Sequence, residues 1–107
     1  MDIAPFLYTI KDKNVLLAAY MPYIKPGGLF LRGIDLQMHH PVGIILEIPG
    51  ETTKYGLHGR VIWVTPLGIN QGVGIQFGES LAFQQLKIRM DQLLIGLERT
   101  KNQTYTL

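Results

Sequence analysis

The sequence predicts a mainly β domain, a small antiparallel β-barrel with a short N-terminal helical segment and a C-terminal α-helix. Five short segments rich in β-branched and aromatic residues are separated by Gly and Pro turn signals, as is typical of a small barrel or sandwich. From Ser80 to about Arg99, glycine and proline nearly vanish, which indicates a helix. The 107 residues contain no long linker, so we expect one domain over residues 1–100 and a polar, flexible tail over residues 101–107.

The N-terminal part is predicted to hold one strand and one short helix. Leu7–Ile10 is short, β-branched and aromatic, so it reads as the first strand. Asp12 is placed to cap a helical segment over Asn14–Tyr20, because apolar residues there recur at helical spacing. Pro22 ends this segment.

Four more strands are predicted in the middle of the chain. They are Leu29–Arg32, Gly43–Ile48, Leu57–Thr65 and Gly72–Gly78. In the longest of them, strict alternation places Trp63 on the same face as Leu57 and Val61. In the last strand, glycines alternate with apolar residues, so we expect another part of the protein to pack closely against that backbone.

The C-terminal helix is predicted to be apolar on two sides. One stripe at three-four spacing can cover the sheet; its members are Phe83, Leu86, Met90, Leu93 and Leu97. Leu81, Ile88 and Ile95 lie about 200° away from that stripe at ~100° per residue. This second side is either a partner surface or a set of isolated surface apolar residues, which are common.

Composition narrows the function classes. With no cysteine, the chain has no disulfide framework and no thiolate chemistry. The net charge of +2 is mild and the basic residues form no block, so we expect no nucleic-acid binding. No apolar run approaches the ~20 residues of a membrane span, and Met1–Pro5 does not resemble a signal peptide, so a cytoplasmic location is expected.

No motif for catalysis or for a cofactor is recognised. His39, His40 and His58 show no ligand spacing, so we expect no metal site. The pair Gly72 and Gly74 begins a dinucleotide-type pattern, but the third position is Phe77. Ser80 is the only serine, and it reads as a helix cap rather than a nucleophile. We therefore expect neither an enzyme nor a cofactor.

The remaining candidates for function are aromatic and apolar side chains that could anchor a protein partner. Aromatic residues that bury one face and expose the other often dominate the energetics of interfaces. The candidate partner-binding residues are Leu17, Tyr20, Tyr23, Phe30, Trp63, Tyr105 and Leu107. The alternative for each of them is a place in the core or at its edge.

Several stretches, in order and at near-equal spacing, resemble one branch of the PilZ superfamily, the type IV pilus assembly proteins. These stretches are Ile10–Lys13, Leu17–Tyr23, Gly27–Phe30, Gly59–Pro66, Gly72–Phe77 and Thr104–Leu107. Receptors of the superfamily that bind cyclic di-GMP carry an Arg-x-x-x-Arg box followed by an Asp/Asn-x-Ser-x-x-Gly turn. Here Gly28 is kept, but Tyr23 and Lys25 stand at the Asp and Ser positions, and no arginine precedes Arg32.

The resemblance implies a cytoplasmic, monomeric adaptor for pilus assembly and twitching motility. The implied partners are the pilus-extension ATPase (PilB-like) and a FimX-like protein whose EAL domain binds cyclic di-GMP. The adaptor itself would not bind the nucleotide. Two alternatives stay open: a divergent receptor that binds cyclic di-GMP directly, and an oligonucleotide-binding barrel built on Tyr55, His58 and Arg60. Met38–Pro41 departs from the sequences of this branch, in which we would expect ordinary turn residues at these positions.

Overall fold

In a computed structural model, the described residues form six strands and two helices. The described residues are 5–65, 68 and 71–105, with side chains described as far as residue 95. The elements are β1 (Phe6–Thr9), α1 (Lys13–Ala19), β2 (Tyr20–Met21), β3 (Gly28–Arg32), β4 (Pro41–Glu47), β5 (Lys54–Thr65), β6 (Gly72–Phe77) and α2 (Leu81–Tyr105). Neither helix of this part of the chain combines the length and apolar character needed to cross a membrane.

The strands form one mixed sheet in the order β1-β4-β5-β6-β3-β2. All neighbouring strands pair antiparallel except β1 and β4, which pair parallel, so the prediction of a purely antiparallel sheet is wrong at that edge. Within the described residues no ladder joins β1 to β2 or β3, and the predicted barrel is therefore not confirmed. One side-chain contact spans the opening: the Tyr8 hydroxyl donates a hydrogen bond of 3.0 Å to the carbonyl of Arg32.

Element boundaries differ modestly from the sequence prediction. The two-residue strand β2 follows α1 directly and was missed, because two residues carry no periodicity. Strand β5 begins at Lys54, before the predicted Leu57. Helix α2 continues to Tyr105, past the predicted end near Arg99, so residues 101–105 of the predicted tail have helical backbone. Leu107 lies outside the described residues.

The core lies between the inner face of the sheet and helix α2. Alternate residues of the strands are buried there, among them Leu31, Ile44, Leu46, Ile75 and Phe77. Three members of the predicted helix stripe, Phe83, Leu86 and Met90, are buried against them, while Leu93 is half-buried. Full burial of one such side chain stabilises the fold by about 1.5–3 kcal/mol, so this stripe fixes α2 on the sheet. The side chain of Leu97 lies outside the described part.

Both helices begin at the capping residues that the sequence predicted. Asp12 Oδ1 accepts hydrogen bonds from the backbone N–H groups of Asn14 (2.7 Å) and Val15 (3.3 Å) at the start of α1. Ser80 Oγ accepts one from Phe83 N–H (3.0 Å) at the start of α2. Each cap satisfies amide groups that have no partner within the helix, a contribution of about 1 kcal/mol.

A bulge in β5 changes which side chains face outward. Val61 is opposite Ile75, whereas Trp63 is opposite Gly74, so Ile62 is an extra residue in the ladder. The bulge turns Trp63 to the outer face of the sheet, away from the core. The prediction that Trp63 shares a face with Leu57 and Val61 is therefore wrong, since an uninterrupted alternation was assumed.

A polar network ties the β4–β5 turn to α2. The Tyr55 hydroxyl donates to Glu51 Oε1 (2.8 Å), and Arg89 Nε donates to Glu51 Oε2 (2.7 Å). Burial raises the pKa of Tyr55 to about 12, and the hydrogen bond to Glu51 and the charge of that carboxylate act in the same direction. The network connects the helix to the sheet beyond their apolar contact.

We predict that Gly59→Ala destabilises the protein much more than Gly56→Ala does in the same strand. A Cβ at Gly59 would collide with the carbonyl oxygen of Gln76, whereas one at Gly56 would meet nothing within 4 Å. The expected losses in the free energy of unfolding are about 1–3 kcal/mol for Gly59→Ala and under about 0.5 kcal/mol for Gly56→Ala. Urea unfolding measures both, and equal losses would contradict the packing described for β5 and β6.

A second prediction concerns alkaline pH. Because the folded-state pKa of Tyr55 lies near 12 rather than 10.0, its bound proton stabilises the fold fully below pH 10. That contribution is lost as the pH rises from 10 through 12. We expect Tyr55→Phe to remove this part of the pH dependence of the free energy of unfolding. Tyr23→Phe, which changes an exposed tyrosine, is the matched control. A pH profile of Tyr55→Phe that coincides with wild type would refute the assignment.

Candidate partner-binding groove

A row of residues across three strands forms the centre of an apolar groove on the outer face. Phe30 on β3 and Trp63 on β5 both pair with Gly74 of β6, which lies between them. A Cβ at Gly74 would lie 2.9 Å from Trp63 Cβ and 3.3 Å from Met21 Cε. Only glycine leaves room for these two neighbours, so the residue without a side chain allows the groove to exist.

Met21 forms the floor of the groove. Its side chain reaches across β3 from β2, because its Cε lies 3.0 Å from a Cβ added at Gly28 and close to Gly74. The Phe30 ring lies over Gly72 in the same manner, 2.8 Å from an added Cβ. Met21 and Phe30 thus pack closely against Gly72 and Gly74, which fulfils the sequence expectation of close packing against β6.

The groove has a volume of about 650 Å³ and is lined mainly by apolar side chains. Tyr20, Tyr23, Phe30 and Trp63, which the sequence selected, line it together. Ala18, Met21, Ile24 and Ile62 line it as well and were missed by the sequence reasoning. The tyrosine-rich segment around Met21, together with the Gly-rich strand β6, could have indicated that Met21 belongs to the groove. The position of Ile62 depends on the bulge, which the sequence did not predict.

The two most exposed aromatic residues of the groove stand at its mouth. Trp63 is 62% exposed and Tyr23 is 74% exposed, while Phe30 is half-buried. Tyr20 is only 8% exposed, so it forms a wall rather than the exposed surface that was predicted for it. Trp63 is therefore a surface residue, which excludes the alternative that it plugs the core.

Leu17 is separated from this groove. It is half-buried and packs against the core cluster, and it is absent from the groove lining, so the expected patch of Leu17, Tyr20 and Trp63 is not formed. The side chain of Tyr105 and the whole of Leu107 lie outside the described residues. The groove consequently contains four of the predicted partner-binding residues.

Tyr20 links the groove to the C-terminal helix. Tyr20 lines the groove, and it also lies beside Phe83, Leu86 and Met90 of α2. Burial raises the pKa of Tyr20, and the carboxylate of Asp91 on α2 raises it further. Tyr20 therefore stays a neutral phenol with its ring fixed between the helix and the groove.

A smaller cleft of about 170 Å³ adjoins the groove where the sheet is open. It lies among Tyr8, Val15 and Arg32 and shares Ala18 and Phe30 with the groove. Val15 is exposed on α1. The apolar surface therefore extends from Trp63 to the outer side of α1.

No arginine, histidine, aspartate or glutamate of the described residues lines the groove itself, although Arg32 lines the adjoining cleft. Arg32 and Arg60 are exposed on the outer face, whereas Arg89 is held by Glu51. His40 Nδ1 lies 2.6 Å from the carbonyl of Pro41, and His58 lies against Gly78. Among the described residues, no cluster of three or more His, Cys, Asp or Glu side chains is arranged to hold a metal ion.

The second predicted apolar side of α2 is exposed. Leu81, Ile88 and Ile95 all project into solvent. They are isolated by polar residues such as Gln84, Gln85 and Gln92. This exposed side of α2 is therefore a less continuous apolar surface than the groove.

No protein-family model matches the chain, and no curated protein matches it.

We predict that Trp63→Ala leaves the fold nearly unchanged, because the side chain is mostly in solvent already. The expected loss in the free energy of unfolding is under about 1 kcal/mol. Phe77→Ala, which truncates a buried aromatic residue on β6, is the comparison and should cost about 3–5 kcal/mol. Thermal melts of both variants check this. Similar large losses for the two variants would show that Trp63 supports the core.

Proposed function

We propose that this protein is a non-enzymatic cytoplasmic adaptor whose outer-face groove binds a partner protein during type IV pilus assembly and twitching motility. The partner of the groove is the pilus-extension ATPase (PilB-like), and a FimX-like EAL-domain protein is a second partner. The observation that carries the proposal is the exposed Trp63, with Tyr23, at the mouth of an apolar groove.

The physical support comes from the cost of leaving such a surface in water. Tryptophan and tyrosine are enriched among the few residues that supply most of the binding energy at interfaces. A groove with aromatic walls accepts an apolar side chain of a partner and excludes water from it, at about 25 cal/mol per Å² of apolar area buried. The adaptable thioether of Met21 on the floor allows the groove to fit the side chain that enters.

Support for the pilus assignment comes from where the resembling stretches lie. Leu17–Tyr23 supplies Tyr20, Met21 and Tyr23, and Gly27–Phe30 supplies Phe30. Gly59–Pro66 supplies Ile62 and Trp63, and Gly72–Phe77 supplies the glycine between the aromatic residues. Four of the six resembling stretches thus contribute to one groove.

The alternative, a divergent receptor for cyclic di-GMP, finds less support. Phosphate recognition favours guanidinium groups that stand together and bind in a bidentate manner. Arg32 pairs with Gly72 and Arg60 with Gln76, so their backbones are about 16 Å apart at ordinary sheet spacings. The row of Phe30 and Trp63 lies between them, and Arg89 is already bound by Glu51. The adaptor is therefore the preferred function.

We predict that Trp63→Ala and Tyr23→Ala prevent co-purification with the pilus-extension ATPase while the variants remain folded. Truncating such an anchor commonly costs ~2 kcal/mol or more of binding free energy, roughly a thirtyfold loss of affinity. Leu81→Ala, which removes an exposed apolar side chain on α2, is the matched control and should bind normally. A folded Trp63→Ala variant that binds the ATPase like wild type would contradict the proposal.

A binding measurement on the wild-type protein distinguishes the adaptor from the cyclic di-GMP receptor. Titration calorimetry with cyclic di-GMP at ~100 μM should give no heat beyond dilution. A dissociation constant near 1 μM, about −8 kcal/mol, would favour the receptor over the adaptor.

A further inference from the structure

Strands β3, β5 and β6, which carry the outer face around the groove, contain basic residues and no acidic residue. Three cross-strand rows cover this face: Arg32–Gly72–Thr65, Phe30–Gly74–Trp63 and Gly28–Gln76–Arg60. Two of these nine positions are arginine and none is acidic. The two arginines occupy opposite corners, one beyond Phe30 and the other before Trp63.

A third basic residue is held next to the same face. Gln76 Nε2 donates a hydrogen bond of 2.8 Å to the carbonyl oxygen of Lys25, which fixes the loop that carries Tyr23 against β6. The side chain of Lys25 is exposed. The outer face therefore has an arginine at two opposite corners, a lysine in the adjoining loop and apolar side chains in its middle.

Five of the carboxylates whose side chains the structure describes contact residues outside these three rows. Asp12 caps α1, and Glu51 binds Tyr55 and Arg89. Glu47 contacts Thr9 and Lys54 at the far end of β4. Asp91 approaches Tyr20 from the side of α2. Glu79 accepts a hydrogen bond of 3.4 Å from Gln84 Nε2 on α2. None of the six carboxylates whose side chains the structure describes, Asp35 included, occupies one of the nine positions of the three rows.

We infer that the groove binds an acidic amphipathic helix of its protein partner. This inference depends on the proposed function and adds the chemistry of the segment that is recognised. The apolar side chains of that helix enter between Phe30 and Trp63, and its carboxylates meet Arg32 and Arg60. Oppositely charged rims accelerate and orient association, and the apolar centre supplies affinity.

A helix fits this surface better than an extended strand does. The groove lies on the face of the sheet, where the backbone groups of β3, β5 and β6 are already paired with one another. An extended segment would find no backbone partners there, whereas a helix satisfies its own. The separation of about 16 Å between the arginine backbones equals about three helical turns, or about 11 residues. Acidic residues about 11 positions apart, on the same side as the apolar residues, match both corners.

Nucleic acid is the competing occupant of a basic face with aromatic residues. Base stacking requires open aromatic faces, and of the four aromatic lining residues Tyr20 is buried and Phe30 is half-buried, which leaves two exposed rings. The remaining lining residues Met21, Ile24 and Ile62 are aliphatic or thioether groups, which suit apolar side chains rather than bases. The protein helix is therefore the occupant that the groove favours.

Selection from a random library of 16-residue peptides on the full-length protein tests the inference. Peptides that bind wild type but not Trp63→Ala are sequenced and their net charge is compared with that of the unselected library. We expect enrichment of Asp and Glu together with Leu, Phe or Trp at three-four spacing. Enriched peptides that depend on Trp63 but are neutral or basic would overturn the inference and leave the protein-binding groove intact. A failure to obtain any peptide that depends on Trp63 would count against the groove itself.

The strongest selected peptide is then measured against charge variants at low salt. Arg32→Gln and Arg60→Gln should each weaken binding about two- to fivefold, and added salt should reduce the difference. The same peptide with Gln at every Glu and Asp should bind wild type more weakly and respond to neither substitution. Lys54→Gln, a basic residue at the far end of β5, is the control and should have no effect. Unchanged affinity in both arginine variants would overturn the inference, as would tighter binding of a 15-residue oligo-dT or oligo-U probe than of the peptide.

Discussion

The register change between Val61 and Trp63 is the constraint on which the outer surface depends. Before the bulge, β5 alternates so that Leu57 and Val61 enter the core, and after it Trp63 faces outward opposite Gly74. A strand with period two throughout would have turned Trp63 into the core, because every side chain changes face when the register shifts by one residue. The bulge therefore keeps the apolar core complete and places the only tryptophan on the surface.

Close backbone approach at three glycines gives the groove its shape. Met21 packs against Gly28 and Gly74, and the Phe30 ring packs against Gly72, in space that a side chain at those glycines would occupy. Glycine in a strand normally weakens it, since it has no side chain to pack and loses more entropy on folding. Here the neighbouring residues fill the space, so the packing of the groove offsets that loss.

The groove is held in place by α2, although that helix lies on the other side of the sheet. Phe83, Leu86 and Met90 complete the core, and Tyr20 extends from their contact surface to the wall of the groove. The Tyr55–Glu51–Arg89 network fixes the same helix to the end of β5. Phe30 and Trp63 stand on paired strands, so the backbone that carries them loses little entropy on association.

The sequence by itself determined every element except β2, both helix caps, the buried stripe of α2, and Tyr23, Phe30 and Trp63 as candidate anchors. These follow from local rules of periodicity, capping and residue type. Only the tertiary structure decided that β1 pairs parallel with β4, that Ile62 is the extra residue in β5, and that Met21 rather than Leu17 joins the groove. The physical reason is that strand pairing and register depend on contacts between residues far apart in sequence. Local sequence patterns carry no information about those contacts.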